Sequence, residues 1–191
     1  MNSIHEEYIR QLQQALAACD GEKLERLYAL IDAARSQGRQ IFVLGNGGSA
    51  ATSSHWACDF GKGASVAGAR RVRMFAPCDN VATLTAYGND VSYDSVFVEQ
   101  LKNLLEPHDL VISMSVSGSS PNLMRAHEYA QGLGCTCVCI IGDYGGALAN
   151  VSDLSICIPS RNYGVVEDIH LIFGHMLSQR LKQSLENAGN P

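Results

Sequence analysis

His55 and Asp59 stand four residues apart in a stretch, Ser49–Phe60, that reads as a helix, so an imidazole and a carboxylate share one helical face. One turn of spacing lets such a pair hold a divalent metal, or lets one member act as a base that the other orients. A solvated pair is the commoner fate of this spacing. The far end of the chain carries a second set, Glu167, Asp168, His170 and His175, on a long apolar helix from about Val165 to Glu186. Asp168 and His175, seven apart, fall on nearly one face, and Glu167 lies within about a quarter turn of His175. His170 points elsewhere and reads as a structural or interface residue. Both histidines lie in an apolar run, where a hydrogen-bonded core histidine is the plain reading. Against that, the two carboxylate–imidazole sets are N,O donor sites of similar kind.

Two polar turns accompany these helices. Asn46, Gly47, Gly48 and Ser49 follow an apolar run, Gln40–Leu44, and open the helix that carries His55. A strand, a glycine turn and a helix N-terminus suit an anion, because glycines admit close approach and the helix end offers unpaired N–H groups. No Lys follows the last Gly, and the spacing matches neither nucleotide-phosphate fingerprint. A second strand, Asp109–Met114, runs into Ser115-Val116-Ser117-Gly118-Ser119-Ser120-Pro121-Asn122 and then another helix. Ser119 or Ser120 suits the N-cap and Pro121 the first turn. Four hydroxyls in the six residues 115–120 exceed what capping needs. Two such units point to one polar ligand at the carboxyl ends of parallel strands. Neutral hydroxyls and amides suit a phosphosugar.

The elements that must position these residues alternate. Two amphipathic helices, about Ile4–Ala18 and Gly21–Ser36, break at Asp20-Gly21. Strands follow at Ile41–Leu44, Val72–Phe75, Leu110–Met114, Cys135–Ile141 and Leu154–Ile158. Helices at Ser49–Phe60, Asn80–Tyr87, about Tyr93–Leu105, Leu123–Leu133 and Ala147–Asn150 lie between them. The pattern predicts an α/β fold of one domain: a parallel sheet flanked by helices on both faces, flavodoxin- or Rossmann-like. Residues 1–38 form a leading helical hairpin for oligomerisation, and 39–191 the α/β core. The glycine-rich Gly61–Arg71 reads as a flexible loop over the ligand. At 191 residues, 46% hydrophobic and 17% charged, the chain is an ordinary globular domain. A net charge of −5 argues against nucleic acid as the main partner. No apolar run is long enough for a membrane span, and Met1–Glu7 lacks the charge and apolar core of a secretory leader. None of the seven cysteines forms a C-x-x-C pair. Cys135, Cys137 and Cys139 alternate onto one strand face as small buried hydrophobes. A reducing cytoplasm is the expected compartment.

Taken together, GNGGSA, the H-x-x-x-D helix, Thr83–Asp90, the S-x-S-G-x-S-P-N turn and the terminal E-D-I-H-x-x-x-x-H helix resemble the SIS (sugar isomerase) domain proteins. Among these the chain is similar to the phosphoheptose isomerases, which interconvert sedoheptulose 7-phosphate and glycero-manno-heptose 7-phosphate. The resemblance covers nearly the whole chain. It implies that Asn46, Gly47, Gly48 and Ser49 contact the sugar, together with Asn89 and Asp90. It also implies that Ser115, Ser117 and Ser120 hold the phosphate, with Val116 in the same turn. It assigns zinc, or another divalent metal, to His55, Asp59, Glu167 and His175, with Glu167 also beside the substrate. The base matches Asp59 and the acid His175. A homotetramer with sites between subunits is implied as well.

Three positions depart from that pattern. Asp59 replaces a Glu and is one methylene shorter. Glu167 replaces a Gln and adds negative charge near the metal. Val116 replaces a hydroxyl residue. Gly164-Val165-Val166, at the start of the terminal helix, also lacks the usual polar residues. The expected activity is aldose–ketose isomerisation of a phosphorylated sugar through an enediol. The competing reading is a non-catalytic SIS-domain tetramer that binds phosphosugars or a protein, such as a replication-initiation partner. A binding module has no need of His55, Asp59, Glu167 and His175 together.

Overall fold

The computed structural model describes residues 3–189; Met1 and Asn2 of the N-terminal stretch, and the last two residues, lie outside that range. Five strands form one sheet: β1 (Gln40–Gly45), β2 (Arg73–Phe75), β3 (Leu110–Ser115), β4 (Thr136–Gly142) and β5 (Leu154–Ile158). Their order is β2-β1-β3-β4-β5, and every pair is parallel. Around them lie α1 (Ile4–Ala17), α2 (Gly21–Gln37), α3 (Gly48–Cys58), α4 (Val81–Asp90), α5 (Val98–Leu104), α6 (Pro121–Gly132) and α7 (Tyr163–Gly189).

The central strands are continuous apolar runs because both faces are covered. Ile41 and Val43 turn toward Trp56, Ile169 and Phe173, and Phe42 and Leu44 toward Leu101, Leu123 and Ala126. Cys135, Cys137 and Cys139 all fall in the second of these cores, on the shared face that their alternation predicts. Local sequence sets the helix ends. Asp20 accepts the Lys23 N–H at the start of α2, and Gly38, at φ 75°, ends it in the left-handed conformation.

The leading helices are built into the body of the domain. α1 rests on α7, where the Tyr8 hydroxyl donates to Asp168 at 2.7 Å and Asn162 donates to Gln11 at 2.9 Å. Burial, followed by the bond to Asp168, pushes the Tyr8 pKa up to about 12. α2 lies against β1, β3 and β5.

Three expected elements differ. Tyr93–Leu105 is a short 3₁₀ turn, Tyr93–Ser95, followed by α5. Ser92 donates to the Ser95 hydroxyl at 2.9 Å, a local bond that competes with helix, and Val96 and Phe97 then both turn inward. The Gly61–Arg71 loop loses its first residues to a π-helical turn, Asp59–Gly63, which continues α3. Buried Phe60 and Ala64 anchor that turn at either end. Ala147–Val151 is a 3₁₀ turn.

From β1 the chain passes to β2 on one side, then returns to β3 on the other. The carboxyl ends of β1 and β3 therefore part at a topological switch point, where an open α/β sheet offers its crevice.

Candidate active site

The two polar turns meet in that crevice. Gly47 sits at φ 56° and ψ −124°, a conformation that favours glycine, and starts α3 without a side-chain cap. The Asn46 amide is locked in place. It donates to Asn122 Oδ1 at 3.0 Å, accepts from Asn122 Nδ2 at 2.9 Å and accepts from the Tyr93 hydroxyl at 2.8 Å. In the second turn, the Ser115 hydroxyl accepts the Gly118 N–H at 3.0 Å, and Gly118 lies at φ 64°. Ser120 is the N-cap of α6 and Pro121 follows it, yet the Ser120 side chain makes no capping bond. Ser120 instead lines the pocket in this crevice.

Asn46, Ser49, Ser115, Val116, Ser117, Ser120 and Glu167 line one pocket of about 160 Å³, with Met114 and Tyr163 added. The positive ends of α3 and α6 both start at this crevice. The wall offers hydroxyls and amides, and Glu167 is its single charged side chain.

α3 and α7 run side by side from this crevice. Trp56 lies over Gly174, its indole N–H donating to the His170 carbonyl at 3.0 Å. The residues next to that contact, His55 and His175, are thereby brought together, their rings edge to face with centroids 5.1 Å apart. Their Nε2 atoms stand 3.0 Å apart, and Asp59 Oδ2 lies 3.3 Å from His55 and 3.5 Å from His175. Asp59 starts the π turn, a rare form that recurs at functional sites. Its other oxygen, Oδ1, faces Gly63.

These three atoms fit a metal. Ligands at zinc's usual 2.0–2.1 Å in tetrahedral arrangement stand about 3.3 Å apart. The observed separations bracket that value, and the donor set is two imidazoles and a carboxylate. A second pocket, of about 270 Å³, opens beside Asp59 and His175 and includes Gln179 and Lys182.

Not every expected residue arrives at these places. Glu167 is absent from the His55–Asp59–His175 cluster and lies instead against Gly48 at the start of α3. Asp168 points to Tyr8. His170 is buried and donates from Nε2 to the Ile140 carbonyl at 3.1 Å, the structural role that its sequence position suggests. Asn89 and Asp90 end α4 as an exposed pair, Asn89 donating to Asp90 at 2.7 Å, outside the pocket of their own chain. Sequence reasoning missed Asn122, Tyr93, Tyr163 and Lys182. Asn122 lay within the serine-turn motif, and Lys182 sits seven residues past His175, on nearly the same face. Tyr93 and Tyr163 carry no sequence signal for their placement.

The largest groove described, about 410 Å³, lies apart from this chemistry, between β2, α4 and α5. Phe75 and Leu104 line it and are exposed, and α4 has no buried residue.

Comparison with known proteins agrees with this fold. A family model for the SIS domain matches residues 5–142. A phosphoheptose isomerase of Mycobacterium tuberculosis is 36% identical over 148 residues, covering 78% of this chain and 75% of the relative. One from Aliarcobacter butzleri is 31% identical over 183 residues, covering 96% and 94%. The solved structure of a phosphoheptose isomerase from Francisella tularensis superposes with a TM-score of 0.85 over 94% of each chain at 24% identity, a likeness of fold. The chain belongs to the SIS domain family and, within it, groups with the phosphoheptose isomerases.

Proposed function

We propose that this protein is an aldose–ketose isomerase that interconverts sedoheptulose 7-phosphate and D-glycero-D-manno-heptose 7-phosphate. The observation that carries the reading is the pairing, along α3 and α7, of a pocket rich in hydroxyls and amides at one end with an acid–base cluster farther on. From Ser49 to His55 the helix rises about 9 Å, and from Glu167 to His175 about 12 Å. An extended seven-carbon sugar phosphate spans such a gap. A triose phosphate, with its carbonyl close to its phosphate, does not.

Ser117, Ser120 and the positive end of α6 hold the phosphate, and Asn46, fixed by Asn122 and Tyr93, meets the sugar hydroxyls. Asp59 removes the proton from C2 of the aldose, the electron pair forms the C1–C2 double bond of the enediol, and the proton returns at C1. His175 exchanges protons at the two oxygens when no ion holds its Nε2. The two oxygens of Asp59 divide this work, Oδ2 facing the imidazoles and Oδ1 directed away from them. Zinc or another divalent ion at His55, Asp59 and His175 supplies Lewis-acid stabilisation of the enediolate when bound.

Exposed Val81 on α4, with exposed Phe75 and Leu104 along the neighbouring groove, supports assembly into a homotetramer, through which Asn89 and Asp90 would join the sugar. All seven cysteines are unpaired, which supports a reducing cytoplasm. The test is incubation of the purified protein with sedoheptulose 7-phosphate, followed by NMR. The aldose heptose phosphate is the expected product, and an unchanged spectrum with and without zinc contradicts the reading.

A further inference from the structure

We propose that Tyr93 is a positioning residue whose hydroxyl fixes which end of the Asn46 amide the ligand meets, so that Asn46 presents an N–H and not a carbonyl to the phosphosugar. The inference rests on the isomerase reading only for the identity of the ligand.

Two amides pair equally well in either of two orientations. Asn46 and Asn122 exchange bonds at 3.0 and 2.9 Å, and turning both amides over together would preserve both bonds. That pair therefore holds the Asn46 side chain in place without choosing its polarity. The third partner makes the choice. The Tyr93 hydroxyl donates to Asn46 Oδ1 at 2.8 Å. An amide oxygen accepts two hydrogen bonds and an amide nitrogen donates two. With Asn122 and Tyr93 upon it, Oδ1 is fully used, whereas Nδ2 has given one hydrogen to Asn122 and keeps the other. That hydrogen belongs to a side chain lining the pocket with Ser117 and Ser120. A phosphate or carbonyl oxygen, which carries no proton of its own, accepts it. With the amides turned over, Nδ2 would give both hydrogens to Asn122 and Tyr93. The pocket would then meet a carbonyl lone pair, which repels such an oxygen.

Tyr93 is itself braced. It opens the 3₁₀ turn Tyr93–Ser95. Arg125 reaches that turn from α6, donating to the Ser95 hydroxyl at 3.2 Å and standing 3.5 Å from Asp94. Asn122 lies three residues before Arg125, on the same side of α6. One helix thus supplies one partner of Asn46 directly and steadies the other. Asn46, Tyr93, Asn122 and Arg125 touch within a single chain, so the clamp needs no residue from a neighbouring subunit. The Tyr93 ring is exposed, so Tyr93→Phe removes the hydroxyl with little change in packing.

Two measurements test this. In NMR of the isotopically labelled protein, the Asn46 side-chain N–H signals are identified by their loss in Asn46→Ala. In wild type they are expected to show no nuclear Overhauser contact with the Tyr93 ring. A strong contact would mean that the nitrogen faces Tyr93, and it overturns the proposal. Steady-state kinetics with sedoheptulose 7-phosphate then compare wild type with Tyr93→Phe. Loss of one neutral hydrogen bond corresponds to about three- to tenfold, and the expected result is a KM raised by that factor with kcat and Tm nearly unchanged. An unchanged KM overturns the proposal, and so does a fall in kcat and Tm alone, which would assign Tyr93 to the fold. If the wild type does not turn over the heptose phosphate, the isomerase reading fails, while the Overhauser measurement still decides the polarity of Asn46.

Discussion

The indole of Trp56 fills the space that a side chain at residue 174 would need: its Cδ1 lies about 2.6 Å from where a Cβ on Gly174 would stand. This contact sets how α3 lies along α7. Because His55 precedes Trp56 and His175 follows Gly174, it also sets the 3.0 Å approach of the two imidazoles. Packing and chemistry are therefore one feature.

Gly174→Ala consequently disturbs both. Overpacking of a close contact costs roughly 1–3 kcal/mol, and the imidazoles must part. Thermal unfolding and zinc titration are expected to show a lowered Tm together with at least a tenfold loss of zinc affinity. Unaltered zinc affinity in a destabilised variant would separate the crossing from the site.

The serines of the phosphate turn divide by their present bonds. Ser120 caps nothing, so Ser120→Ala is expected to change stability by less than about 0.5 kcal/mol. It removes a hydrogen bond to a charged group, about 1.5–3 kcal/mol, and so raises KM strongly while leaving kcat nearly unchanged. Ser115 holds the Gly118 N–H. Ser115→Ala leaves that donor unpaired and costs roughly 1–3 kcal/mol of folding stability. Urea unfolding and steady-state kinetics on both variants check the division.

Two buried histidines make the fold acid-sensitive. In His127, Nδ1 faces the Val151 carbonyl, which only accepts, so Nδ1 carries the proton and Nε2 accepts from the Ser113 hydroxyl at 2.8 Å. His170 Nδ1 is buried without a partner. Burial pushes both pKa values down from the ordinary 6.5 to about 4. Above pH 6.5 both states are neutral and stability is full. As pH falls toward about 4 the unfolded chain binds protons that the folded chain refuses, and stability drops by on the order of 2–3 kcal/mol per histidine. Urea midpoints at about pH 7 and about pH 5 measure the drop; equal midpoints contradict it.

Much of this architecture was legible in the sequence. Leu154–Ile158 is a strand with the bounds its apolar run predicts, and Asp20 and Gly38 mark helix ends by their own chemistry. The gathering of Asn46, Ser49 and the serine turn followed from strand–turn–helix order. What escaped depended on contacts between distant segments. Nothing local announces that Tyr93 will clamp Asn46, or that Gly48 will cradle Glu167. Helical spacing put Glu167 near the face of His175, but spacing carries no information on axial distance to a third element. The π turn at Asp59 was hidden because its glycines read equally well as a loop.

Metal binding gives a reading of the cluster that is independent of turnover. Zinc at a hundred times its dissociation constant is expected to stabilise the fold by about 2.7 kcal/mol, and His55→Ala is expected to abolish the gain. A thermal shift that persists in His55→Ala places the ion elsewhere.

The central claim is that Asp59 moves a proton at the carbons of a phosphosugar. The most direct measurement follows deuterium from heavy water into the substrate, by NMR, with wild type and Asp59→Asn at equal zinc occupancy. Wild type is expected to exchange the C1/C2 proton through the enediol. Asp59→Asn is expected to keep the fold and bind the phosphosugar, yet exchange slower by roughly two to four orders of magnitude. Exchange at the wild-type rate in Asp59→Asn would show that Asp59 is not the base.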